Sequence, residues 1–196
     1  MQPMLSRTTP LVALVLALLV TGSPAAEAAP KKFHFELAAV TPKPAVKADV
    51  AKTAVARVEG QIKKAFETNP QLVAKLEGAP DKAQADAYRK YLAQKGIAGA
   101  HLVTVEVTEA SEEVVPMDKP SSFRLVVSIS VHVLGEAIPG RTISFTGDGR
   151  ATVKQEVGKK VRPRDREVAW DQAAEVAIGD AMATVFKQLE KPQKKQ

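Results

Sequence analysis

The stretch TISFTGDGRATVK (residues 142–154) decides the fold. Its apolar and small residues alternate almost without a break with polar ones. Successive side chains of a strand point to opposite faces, so this pattern predicts a half-buried strand. The inner face of that strand is small at its middle, where it carries two glycines. The residues that share the inner face are Ile143, Phe145, Gly147, Gly149, Ala151 and Val153.

An alanine-rich helix is predicted shortly after this strand, from about Arg166 to Lys191. Its small apolar positions are Ala173, Ala174, Ala177 and Ala181. Because small residues on both partners let two backbones approach closely, we expect this helix to pack on the strand at the glycines. Trp170 reads as a core residue of the same helix.

The segment Gly147-Asp148-Gly149 has a second interpretation, because an Asp-Gly pair between apolar runs is typical of a hairpin turn. The segment could then join two short strands. The alternation keeps the same phase on both sides of the glycines, which favours a single strand, with or without a bulge.

The chain before residue 142 alternates between strand and helix patterns. Residues 33–40 predict a first strand, and apolar residues at spacings of three and four from Val46 to Ala65 predict a long helix. Two shorter helices are predicted at residues 70–76, after Asn69, and 81–95, with Asp81 as the N-cap. In the long helix, Gly60 indicates close packing or a slight bend.

Two further strands are predicted at residues 101–108 and 124–134, joined by a polar connection over residues 111–122. The element order is therefore strand, helices, three-strand meander, helix. This order predicts an α+β two-layer sandwich with a mostly antiparallel sheet of about four strands and the long helices on one face. The other face is expected to be rich in hydroxyl groups and solvated. The sequence does not set the strand order.

The first 29 residues have the features of a cleaved export signal. Arg7 precedes an unbroken apolar run from Leu11 to Val20, and small residues follow, with cleavage expected at Ala26-Glu27-Ala28 or Ala28-Ala29. The apolar run is about half the ~20 residues that span a bilayer, so no transmembrane anchor is expected after cleavage. We therefore predict an exported protein, periplasmic or secreted, with one domain over residues 30–196 and a frayed basic tail at 191–196.

The chain contains no cysteine, which excludes a lipobox, disulfides and thiolate chemistry. Its net charge of +6 suits an anionic partner surface, although solubility alone also explains it. Nucleic-acid binding is not expected, because aromatic residues make up 5% of the chain and no binding motif is present.

A run of cations before the last helix is the strongest charge feature, and we call it the basic segment. We predict that it contacts an envelope protein, an anionic lipid surface or a cell-wall polymer, with a solvated connector as the alternative. The basic segment comprises Lys159, Lys160, Arg162, Arg164 and Arg166.

The sequence contains few residues in the patterns that are typical of catalytic or metal-binding sites. His34 and His132 are predicted on the polar faces of their strands, where with Glu36 or Glu106 they could form a metal or enzyme site. No HxH, HExxH or GxSxG spacing supports that alternative, so we predict exposed histidines and no catalytic, metal or cofactor site. The acidic pair Glu112-Glu113 is expected to be solvated in a loop.

The run from Gly147 to Ala151, leading into the run from Ala173 to Ala177, resembles bacterial envelope domains. These occur in the curli-secretion lipoprotein, in penicillin-binding-protein activators and in the N-terminal part of the Tol translocation protein. The resemblance implies a small periplasmic α+β domain that scaffolds assemblies or regulates enzymes, and it implies no site residues. This chain departs from those domains in its longer helical insert and its lack of a lipobox cysteine. We therefore expect a non-enzymatic binding or scaffolding domain of the cell envelope.

Overall fold

A computed structural model describes residues 30–118 and 121–191, so the predicted signal at 1–29 and the tail end at 192–196 lie outside the described residues. Among the described residues, no helix has the length and apolar character needed to cross a membrane. In chain order the elements are β1 (Lys32–Pro42), α1 (Ala48–Thr68), α2 (Ala85–Gln94), β2 (Ile97–Pro116), β3 (Phe123–Ile138), β4 (Ile143–Val157) and α3 (Pro163–Glu190).

The four strands form one sheet in the order β1-β2-β3-β4. Strands β2, β3 and β4 form the expected antiparallel meander, whereas β1 pairs with β2 in parallel. Parallel neighbours need a crossover connection, which α1, α2 and the chain between them provide. Helices α1 and α3 lie on one face and pack against each other, so the predicted α+β two-layer sandwich is confirmed.

The contact between β4 and α3 is as predicted. β4 is one continuous strand, with Gly147 paired to Val133 and Gly149 paired to Val131 without a register shift at either glycine. A Cβ on Gly149 would lie 1.8 Å from the carbonyl oxygen of Ala177, and one on Gly147 would lie 2.5 Å from that of Ala181. Glycine is required at both positions because the helix backbone occupies the space of a side chain.

The second sheet face differs from the expectation at one end. Tyr88 and Leu92 of α2 pack there on Ala100 and Ile138, and this small core is separate from the main one. Ala100 alternates with the inward-facing residues of β2, so α2 and the chain before it cover the face opposite α1 and α3. Only the rest of that face is the open polar surface predicted from the sequence.

The predicted helix at residues 70–76 is wrong. The N–H of Phe33 donates to the carbonyl of Gln71 and the N–H of Val73 donates to that of Phe33, both at 2.8 Å, so this segment runs beside β1. Pairing with β1 satisfies the backbone groups that a short helix would leave open at its ends. Asp81 does not cap α2 either, because its carboxylate accepts the N–H of Ala83 in a preceding turn.

Apart from the backbone of its own helix, no atom of the described residues lies within 4 Å of the position that a Cβ on Gly60 would take, so close packing does not explain this glycine. β2 continues to Pro116, through residues predicted as a loop, and α3 begins at Pro163 rather than near Arg166. Proline suits a first helical position, which explains the earlier start.

Candidate functional site

The basic segment spans the loop before α3 and the first turn of the helix, and all five of its cations are exposed. Arg162 is bound to the first turn of α3. Its guanidinium donates to both carboxylate oxygens of Asp165, at 2.9 and 3.0 Å. The backbone N–H of Arg162 also donates to Asp165, at 3.0 Å. Hydrogen bonds from Arg162 lower the pKa of the Asp165 carboxyl. Arg162 and Asp165 therefore fix where the loop ends and the helix begins.

Arg166 is also engaged, through Glu112 of β2. The Nε of Arg166 donates to one oxygen of Glu112 at 2.7 Å, and the indole N–H of Trp170 donates to the other at 2.9 Å. Trp170 is a core residue, as predicted, with 2% of its surface exposed. The prediction of a solvated acidic pair is wrong for Glu112, because its side chain is only 19% exposed and joins α3 to the sheet. It is correct for Glu113, which is exposed.

The remaining cations of the basic segment, Lys159, Lys160 and Arg164, form no ion pair with any described residue. They lie at the end of the sandwich where α3 begins, and the positive end of the helix dipole adds to their charge. The structure therefore divides the five predicted contact residues into two that hold the local structure and three that are exposed and form no ion pair with a described residue. We call these three residues the cationic end.

Polar side chains on the open sheet face contact each other across strands. Ser128 lies 3.0 Å from Thr152 (Oγ to Oγ1), and Ser130 donates to Glu109 at 3.0 Å. Nδ1 of His132 lies 2.7 Å from the carboxylate of Asp148. This surface is hydrogen-bonded within itself and solvated, as predicted for the polar face of the meander.

His34 is placed on the predicted side of β1, but the prediction that it is exposed is wrong. The segment after α1 covers it, and Nδ1 donates to the carbonyl of Val73 at 2.7 Å. His34 lies beside Ala100 and His132 lies beside Glu106, six residues further along β2. At about 3.3 Å per residue the two histidines are on the order of 20 Å apart along the strand, so they share no site.

His101 is the residue that the sequence reasoning missed. It shares the inner face of β2 with Val103 and packs against the rings of Phe33, Phe35 and Phe145 at centroid distances of 5.1–6.2 Å. Burial lowers the pKa of this histidine to about 4, so the imidazole is neutral at pH 7. The alternation of His101 with the valines that follow it was the signal that could have identified its buried position.

Comparison with known proteins finds no matching family model and no matching curated protein. Solved structures with similar chain paths include a Xanthomonas campestris protein of a family of unknown function, with 11% identity, a TM-score of 0.44 and coverage of 83% of this chain and 91% of that one. A candidate homologue of the neuraminyllactose-binding haemagglutinin from Helicobacter pylori has 12% identity, a TM-score of 0.42 and coverage of 83% and 88%. Rare lipoprotein B from Shewanella oneidensis has 14% identity, a TM-score of 0.40 and coverage of 81% and 99%. Bacterial lipoproteins are thus among these structures, at a level of similarity that assigns no family.

Proposed function

We propose that this chain is an exported, non-enzymatic binding or scaffolding domain of the bacterial cell envelope that attaches through its cationic end to an anionic envelope surface or protein. The observation that carries the proposal is the arrangement of Lys159, Lys160 and Arg164. These residues are exposed, lie within six positions of one another, and form no ion pair with the described residues.

The base of this cationic end is held in place. Arg162 is bonded to Asp165 and Arg166 is bonded to Glu112, so the loop enters α3 at a fixed point. A surface that is already ordered loses less conformational entropy on binding than a mobile one. The geometry suits attachment to a broad negative surface, because all three cations are exposed to solvent.

The alternative, a metal-binding protein or enzyme that uses His34 and His132, has no common location for its two ligands. His34 is covered by the segment at residues 69–84 and bonded to Val73. His132 is on the open face with Asp148. These placements favour a binding role over catalysis at these histidines.

Binding to lipid vesicles tests the proposal. The variant K159Q/K160Q/R164Q removes the cationic end and keeps Arg162 and Arg166. Its matched control, K52Q/K75Q/K90Q, removes three other exposed lysines and makes the same change in net charge. A cation near an anionic membrane contributes about 1 kcal/mol, so the first variant should bind vesicles that contain phosphatidylglycerol about 100-fold more weakly.

The control variant should stay within a few-fold of the wild type, and added salt should weaken wild-type binding. A pull-down from envelope extract with the same two variants tests for a protein partner. The proposal fails if both variants behave alike on vesicles and also recover the same partners, because the cationic end would then contribute nothing beyond net charge.

A further inference from the structure

A cavity of about 620 Å³ lies at the end of the sheet opposite the cationic end, between α2, the start of β2 and the end of α3. This volume is within the range of sites for small ligands. Its walls combine apolar and polar surface in about equal parts. The larger apolar side chains are Phe33, Leu92, Ile97, Ile138 and Leu189.

The charged residues of the cavity all carry the same sign. Lys31, Arg89 and Lys191 line it, and no described lining residue is acidic. Arg89 has an acidic neighbour in Asp86 at 3.3 Å, but both side chains are largely exposed, so this pair neutralises little of the charge. A pocket that combines large apolar side chains with cations is complementary to an apolar molecule that carries a negative head group.

His101 supplies a further polar group to the wall of the cavity. Only 6% of the residue is exposed, and its Nδ1 is buried without a hydrogen-bond partner among the described residues. Because Nδ1 is enclosed, a molecule in the cavity can reach this imidazole only through its other ring nitrogen, Nε2.

Gly99 keeps one side of the imidazole open. Gly99 and His101 both line the cavity, and a Cβ on Gly99 would lie 3.0 Å from Nε2 of His101. Any larger residue at position 99 would cover this nitrogen. The glycine therefore leaves Nε2 available to a molecule in the cavity.

We propose that the cavity binds a small amphiphile with an anionic head group, such as a medium-chain carboxylate, which accepts a hydrogen bond from Nε2 of His101. The apolar chain lies along the walls contributed by α2, β2 and α3. Lys31, Arg89 and Lys191 attract the head group. This site is independent of the proposed function: α3 has 28 residues, so its two ends are on the order of 42 Å apart.

Titration of decanoate into the ¹⁵N-labelled protein tests the proposal by backbone amide shifts. We expect saturable shifts confined to the residues around the cavity. Decyltrimethylammonium has the same chain and the opposite charge, and it should bind at least tenfold more weakly. Bound decanoate should also raise the pKa of His101, because a neighbouring negative charge favours the imidazolium form.

Variants separate the parts of the site. H101F keeps a ring in the aromatic cluster and removes the hydrogen-bond donor, while G99V covers Nε2; each should weaken decanoate at least fivefold. K31Q/R89Q/K191Q should weaken it about tenfold, whereas K159Q/K160Q/R164Q, with the same change in net charge, should leave it within twofold. Circular dichroism shows whether each variant is folded. If G99V does not fold, H101F and the rim variant K31Q/R89Q/K191Q are sufficient to test the site.

The proposal is overturned if decanoate at millimolar concentration causes no saturable shift, or if decyltrimethylammonium binds as well as decanoate. It is also overturned if the rim variant and the K159Q/K160Q/R164Q variant lose affinity equally, since the attraction would then be a property of net charge alone.

Discussion

Replacing Gly149 by alanine tests the closest contact between β4 and α3. A Cβ at this position would lie 1.8 Å from the carbonyl oxygen of Ala177 and 2.9 Å from the amide nitrogen of Ala181. Both atoms belong to the helix backbone, so no change of rotamer relieves the clash and the helix or strand must move. Overpacking a well-packed core costs about 1–3 kcal/mol and occasionally more, and we expect Gly149→Ala to cost about 3 kcal/mol.

For a domain of this size each kcal/mol changes the melting temperature by about 2–4 °C, so Gly149→Ala should melt about 6–12 °C below the wild type. Thermal melts and urea titrations followed by circular dichroism measure the loss. Gly147→Ala should also destabilise, because its Cβ would lie 2.5 Å from the carbonyl oxygen of Ala181. A Gly149→Ala protein that melts within about 1 °C of the wild type would refute the close packing of α3 on β4.

Gly60→Ala should stabilise the protein by up to about 1 kcal/mol, because this site in α1 has open space for a methyl group and alanine favours the helix. An unchanged or lower midpoint of urea unfolding would contradict this expectation. The stability that depends on neutral His101 is fully present above the unfolded pKa of about 6.5 and is lost as the pH falls towards the folded pKa of about 4. Urea unfolding across this range should show a loss of about 3 kcal/mol that is absent in H101F, and an equal loss in both proteins would be evidence against a buried neutral imidazole. Glu112→Ala should leave the indole N–H of Trp170 without an acceptor and lower the free energy of unfolding by about 1–3 kcal/mol. It should also shift the fluorescence emission of Trp170, the single tryptophan of the chain. Unchanged emission and stability would be inconsistent with the contact.

The five cations of the basic segment differ in their contacts, and their spacing along the chain does not show these differences. Five closely spaced cations look equivalent along the chain, yet Arg162 and Arg166 are bonded to carboxylates while Lys159, Lys160 and Arg164 are not. Asp165 is close enough in sequence to suggest its pairing with Arg162 at the helix start. Glu112 is more than 50 residues from Arg166, so only the folded chain shows that Arg166 joins α3 to β2.

For the histidines as well, the sequence predicts the side of the strand on which each one lies but not what surrounds it. Alternation along each strand is enough to assign His34 and His132 to the polar sides of their strands. Alternation does not say what covers that side, and the segment after α1 buries His34 through a bond to Val73. The site proposed at His101 depends on three segments that meet at one end of the sheet, and no local pattern brings Lys31, Arg89 and Lys191 together.

The sequence by itself determined the α+β class, the meander of three strands and the contact between β4 and α3. These features follow from periods of two and of three to four residues and from matching small side chains, which are local properties of the chain. The tertiary structure alone decided the parallel pairing of β1 with β2, the strand-like path of the segment predicted as a second helix, and the burial of His34 and Glu112. Those outcomes depend on which distant segments satisfy each other's backbone hydrogen bonds and exclude water from each other's surfaces, and that competition is settled only when the whole chain is folded.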